Sequence, residues 1–170
     1  IGRAVVDQLE SHERPALIRA RMENARSSAR MPSVVASPAV QAIAGRVIEN
    51  SDKVLAEWQR AVAAEPWFTL PREDRDGALP DVVVSLAEAS LLKPNRDDSC
   101  RKAVVTAAAH GQGRRRQNIP ETSISIEFHL LQQAIARFLM NEFEPSDDLH
   151  AAIRALDGMI SLALNACMWG

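Results

Sequence analysis

The chain has 170 residues, 46% of them hydrophobic and 25% charged, which is ordinary for a globular fold and enough for one domain with a sizeable core. Its formal net charge of −2 gives no global pull toward nucleic acid or anionic lipid. Two cysteines, Cys100 and Cys167, are too few for a disulfide framework, lack CxxC spacing and fit a reducing, cytoplasmic setting.

Tyr is absent and aromatic residues make up 4%, so Ala, Leu, Val and Ile must fill most of the core. That mix suits closely packed helices better than a sheet. No apolar run reads as long enough to span a bilayer, and no signal peptide is visible. The chain opens on Ile1 rather than Met, which predicts an excerpt of a longer protein.

In chain order, residues 1–36 read as an Arg-rich helical segment and linker. Arg14, Arg19, Arg21, Arg26 and Arg30 surround a thin apolar stripe of Leu17, Ile18, Met22 and Ala25, and Pro15 breaks any continuous helix there. Ser37-Pro38 is a helix start, with Ser as N-cap and Pro in the first turn. Val40, Ile43, Ala44, Val47, Ser51, Val54, Leu55, Trp58 and Val62 then share one face of a single long helix that Pro66 ends. Trp67 to Gly77 reads as a loop. The next helix carries Pro80 in its first turn and Leu79, Val83, Leu86 and Ala89 or Ser90 inward, and Lys93-Pro94-Asn95 closes it.

A fourth helix is predicted from Asp97 or Asp98, through Cys100, Val104 and Ala107, to His110-Gly111. Gly111-Gln112-Gly113 reads as a helix C-terminus, and Gln112 to Thr122 as a polar turn. The fifth helix presents Ile124, Phe128, Leu131, Ile135, Phe138 and Leu139. Ser146 caps a sixth, in which Leu149, Ile153, Leu156, Ile160, Ala163 and Cys167 alternate spacings of four and three. That narrow seam is the pattern of a coiled coil or helix-pair interface. The fold expected is all-α, with about six helices.

Chemistry-bearing patterns are sparse. Of His12, His110, His129 and His150, no two share an i, i+4 face, so a zinc site would need ligands from separate helices. His110 or His129 could ligate haem singly, though a satisfied or solvated histidine is the plainer reading, and neither metal nor haem is expected. No GxSxG elbow or glycine-rich phosphate loop is present. Arg114, Arg115 and Arg116 could meet phosphate or nucleic acid, but no aromatic residue interleaves to stack bases, and a solvated cluster whose cations complement the dipole of a helix C-terminus is the plainer reading. Glu127 is the most informative residue. Its wheel position lies within or beside the apolar arc of the fifth helix, and a buried carboxylate needs a partner. His110 and Arg114 are the candidates. The pair would be either a brace for the turn between the fourth and fifth helices or a ligand-sensing ion pair.

His110-Gly111-Gln112-Gly113-Arg114, Gln117-Asn118 and Glu127-Phe128-His129-Leu130-Leu131 resemble the signature of the RsbRD N-terminal domain family, with Asn118 where that family usually has Gly and Phe128 where it has Tyr. The stretch from Ile48 to Trp58 resembles the family's first helix, and Pro80 to Leu91 its second. The resemblance spans roughly residues 40 to 170 and implies a globin-like sensory domain over 37–170, usually without haem. It also implies a non-enzymatic input role in bacterial stress signalling, ahead of a STAS domain or histidine kinase that this chain lacks. A homodimer is expected, joined through the last helix or the Leu17-Ile18-Met22 stripe. The alternative is a haem- or small-ligand-binding sensor using His110 or His129.

Overall fold

Ser37 accepts a hydrogen bond from the Val40 N–H at 3.2 Å, and Ser146 accepts one from Leu149 N–H at 3.1 Å. Both expected caps are thus in place, each satisfying a backbone donor that the first helical turn leaves without a partner. The computed structural model describes residues 37–65, 77–90 and 96–169. Among them are helices α1 (Pro38–Glu49), α2 (Ser51–Ala63), α3 (Leu79–Ser90), α4 (Arg96–Arg116), α5 (Glu121–Glu142) and α6 (Asp147–Trp169), and no strand. The protein is all-helical over these residues. The Arg-rich segment 1–36, the helix stop at Pro66, the loop from Trp67 as far as residue 76 and the Lys93-Pro94-Asn95 stop lie outside the described residues.

The long helix expected from Ser37 to Pro66 is two. Asn50 interrupts it with φ −125° and ψ 31°, and its side-chain amide donates to the Arg46 carbonyl at 3.0 Å. Asn competes with the helical backbone in this way, and no apolar periodicity reveals it. Val54, Trp58 and Val62 are nonetheless buried, while Ser51 and Leu55 are half-buried. The face was read correctly across the break.

Helix α3 is the most enclosed. Besides Leu79, Val83, Leu86, Ala89 and Ser90, it buries Val82, Ser85 and Ala87, because α1, α4 and α6 all pack on it. Its two buried serines return their hydroxyls to carbonyls three residues back, Ser85 to Val82 at 3.0 Å and Ser90 to Ala87 at 2.7 Å. A buried hydroxyl therefore has a partner without leaving its own helix.

Helix α4 departs most from expectation. It continues past His110-Gly111 to Arg116, so the two glycines sit inside it and the polar turn is shorter. Its stop is a Schellman motif built on Asn118, whose φ is 59°. The Ile119 N–H donates to the Arg114 carbonyl at 2.9 Å and the Asn118 N–H to the Arg115 carbonyl at 3.0 Å. Asn occupies the left-handed region more readily than other residues with a side chain. The buried stripe is also rotated from the expected one. Ala103, Ala107, His110, Gly111 and Arg114 are buried, whereas Cys100 and Val104 are half-buried.

The seam of α6 faces inward. Leu149, Leu156, Ile160, Ala163 and Cys167 are buried and Ile153 is packed against the core, where α6 meets α1, α3, α4 and α5. The four-three spacing therefore closes the chain's own core and does not supply the interface between copies expected from it. By length and composition α6 is also apolar enough to cross a membrane, contrary to the sequence reading, and seven of its residues are buried against the other helices.

Asn118→Ala should lower stability by about 1 kcal/mol, because a Cβ-bearing residue without Asn's local hydrogen bonding pays for the left-handed conformation. Asn118→Gly should be neutral or slightly stabilising. Urea denaturation checks this, and equal losses in both variants would remove Asn118 as the helix stop.

Candidate functional site

Glu127 is fully buried on α5, one helical face inside the core. Ionised carboxylates are costly to bury without charge-assisted hydrogen bonds. The extra turn of α4 supplies them. Arg114, itself 2% exposed, donates from Nε to both carboxylate oxygens at 3.2 and 3.1 Å and from Nη2 to Oε1 at 2.5 Å. Its Nη1 donates to Gln117 Oε1 at 3.0 Å, which holds the planar fork in register. Arg suits this place better than Lys, since its rigid fork matches two oxygens at once.

His110 lies one turn earlier on α4. Its Nε2 stands 3.3 Å from Glu127 Oε1 but is poorly aligned, and this buried nitrogen has no hydrogen-bond partner. The imidazole packs edge-on to Phe128, with ring centroids 6.0 Å apart at 72°. The Trp58 indole N–H on α2 donates to the Glu127 backbone carbonyl at 3.2 Å, so α2 grips the same residue from the other side. Burial pushes the Glu127 carboxyl upward, but His110 and the Arg114 guanidinium outweigh it and hold the group below its ordinary value of 4.5. The carboxylate is therefore the stable form.

The structure brings Trp58, His110, Arg114, Glu127 and Phe128 together. His129 stays apart: it is exposed on α5 and bonded to Gln133 at 2.8 Å. The arginine knot is divided three ways. Arg114 is buried, Arg115 is part-buried and Arg116 is exposed, so the knot is not a solvated cationic end. Among the described residues no group of three or more His, Cys, Asp or Glu is placed to hold a metal ion.

Four residues that the sequence reading named for other reasons also take part here: Gly111, Arg115, Gln117 and Cys167. Arg115 reaches across to the end of α6, donating from Nη1 to the carbonyls of Cys167 at 3.0 Å and Met168 at 3.5 Å. Carbonyls in a last helical turn lack intrahelical donors, and a cation there also complements the dipole. Gly111 permits the approach, since a methyl group in its place would stand 2.0 Å from the Cys167 carbonyl oxygen. The Cys167 thiol is pushed up to about 12 by burial and then by the charge of Glu127, which Arg115 and Arg114 offset in part. It is an inert neutral thiol. Gly111 and Arg115 are spaced i, i+4, as are His110 and Arg114, and that repeat is the signal that could have found them.

The arrangement fixes one negative charge in a dry core, neutralised by one guanidinium and watched by one histidine. It offers no activated nucleophile. No family model, no curated protein and no solved structure matches this chain.

Two outcomes follow from this geometry. Glu127→Gln should cost on the order of 3–5 kcal/mol, as for other broken buried pairs, far more than Glu144→Ala at an exposed position. The folded-state pKa of Glu127 is depressed, so its stabilisation is present above about pH 4.5 and is lost as pH falls through the folded value. The gap between wild type and Glu127→Gln in chemical denaturation should therefore narrow in acid, and a gap independent of pH would show the charge is not the cause. Separately, Gly111→Ala should destabilise through its clash with backbone, whereas Gly113→Ala, which meets nothing within 4 Å, should gain roughly 0.5–1 kcal/mol of helix propensity. Thermal melts of the two variants moving in the same direction would discard the close approach of α4 to α6.

Proposed function

We propose that residues 37–169 are a non-catalytic signal-input domain, of the kind the RsbRD N-terminal resemblance implies, with a globin-like arrangement of helices. The domain acts in pairs and passes its state along α6 to an output partner such as a histidine kinase or STAS domain. The observation that carries this reading is the buried Glu127–Arg114 pair with His110 beside it. The motifs behind the resemblance, His110 to Arg114 and Glu127-Phe128, meet at that point. A buried ion pair contributes little net stability compared with apolar packing, and a fixed internal charge adjoining a signalling helix suits a device with two states.

A haem-free version is favoured over the ligand-binding alternative. His110 is enclosed by Phe128 and Glu127, and His129 faces outward with Gln133. Pairing of two copies would use a surface other than the Leu149 to Cys167 seam, which lies in the core.

Fusion of the domain ahead of a dimeric histidine-kinase core tests the reading. Glu127→Gln and Arg114→Lys should shift autophosphorylation by about fivefold or more, the lower end of ordinary coupling between sites, in folded proteins matched by circular dichroism. Kinase output that ignores both substitutions would defeat the proposal, as would a visible haem spectrum that Ala at His110 abolishes.

A further inference from the structure

The C-terminal turns of α4 carry two adjacent stripes, each spaced i, i+4 and offset by one residue. His110 and Arg114 face Glu127 of α5, at 3.3 Å and in bidentate contact respectively. Gly111 and Arg115, their immediate successors, face the last turn of α6, one lying against the Cys167 backbone and the other bonding the Cys167 and Met168 carbonyls. Successive residues on a helix point about 100° apart, at 3.6 residues per turn. One rigid segment therefore touches the buried carboxylate on one side and the end of α6 on the other.

Neither side can move alone. Rotating α4 to release Arg114 from Glu127 swings Arg115 off the α6 carbonyls by the same angle. Sliding α4 along its axis carries Gly111 away from Cys167, and the residues one turn away on that face, Ala107, Ala108, Arg114 and Arg115, would each present a Cβ to that carbonyl. The Schellman stop at Asn118 follows directly and closes the same turn with bonds to the Arg114 and Arg115 carbonyls. Arg115 also keeps one buried donor, Nη2, without a hydrogen-bond partner, so its hold on α6 rests on Nη1 alone.

We propose that residues 110–115 are a two-faced coupler, through which the charge at Glu127 sets how tightly the last turn of α6 is docked. This rests on the signal-input reading and names the path by which that site would act. Glu127 with its carboxylate intact holds Arg114, and Arg114 so held keeps Arg115 aimed at α6. Loss of the charge frees the guanidinium, α4 turns, and the end of α6 undocks while the rest of the core stays packed.

Cys167 reports the docking directly, because its buried thiol can be alkylated only when α4 and α6 part. The experiment is the iodoacetamide labelling rate of Cys167 in the whole chain without denaturant, with Cys100 followed separately by peptide mass spectrometry. Glu127→Gln should speed Cys167 labelling about tenfold beyond its effect on global unfolding measured by denaturation, a size usual for directly coupled neighbours, and leave the labelling of Cys100, which is half-buried in the native fold, nearly unchanged. In an Arg115→Ala background, where docking is already loosened, the same substitution should add little. Should Glu127→Gln not fold, Arg114→Lys serves in its place, keeping the charge but losing the fork. An equal effect in both backgrounds, or Cys167 labelling that follows global unfolding in every variant, overturns the coupler. The labelling assay contains no output domain, so its failure is distinct from failure of the kinase fusion.

Discussion

A carboxylate with no access to water sets the terms for this fold. Glu127 is taken wholly into the core, and the cost of that desolvation must be met by donors fixed in the right place. Arg114 can reach it only because α4 runs on to Arg116. The helix must then stop at once, so that the chain can return through Ile119 and Pro120 to start α5. Asn118 makes that stop possible in a left-handed conformation. Trp58 anchors the Glu127 carbonyl from α2, tying a third helix to the same point. Remove the charge and each of these features loses its reason.

The composition of α4 follows from the same demand. Its buried face is Ala103, Ala107, His110, Gly111 and Arg114, small residues toward the start and polar ones toward the end. Small side chains let α3 and α6 approach closely, and dispersion across such a contact is collectively substantial although each atom pair is weak. The polar end would be a defect in an apolar core, yet here it faces the one residue that needs it. Gly111 is the extreme case, bringing backbone against backbone at Cys167.

How much of this was legible in the sequence depends on what kind of signal each feature leaves. The all-helical class, both serine caps and the inward faces of α3 and α5 were readable, since apolar periodicity and capping chemistry are local. Glu127 was readable as a charge on an apolar arc, and its partners as charges near the turn. The helix break at Asn50 was not, because one side-chain bond to the Arg46 carbonyl leaves no periodic trace. The true end of α4 was missed for a related reason. Glycine is the usual residue beyond a helix end, and two glycines stood earlier than the Asn that fills the role. The α6 seam was read for its spacing alone, and four-three spacing does not say whether the partner helices belong to the same chain or to another. The α4–α6 contact depends on long-range placement, which no local pattern encodes.

The ion pair raises a last physical question, namely what it does that apolar packing would not. A leucine and a methionine at positions 127 and 114 could fill similar volume and stabilise the turn at least as well. They would not fix its rotation. Hydrophobic contact is nondirectional, so α4 could settle over a range of angles with nearly equal energy. A guanidinium fork on a carboxylate tolerates far less, because its strength falls steeply as the hydrogen bonds bend. A slip of one residue would place Arg115 opposite Glu127 and turn Arg114 to the open side that Gly113 faces, away from α6. The angle that satisfies Glu127 is also the one that aims Gly111 and Arg115 at Cys167 and Met168. The buried charge thus acts as an angular index for α4. The docking of α6 inherits its precision from that index, and a change at a single fully enclosed residue therefore has a defined route to the far end of a 23-residue helix.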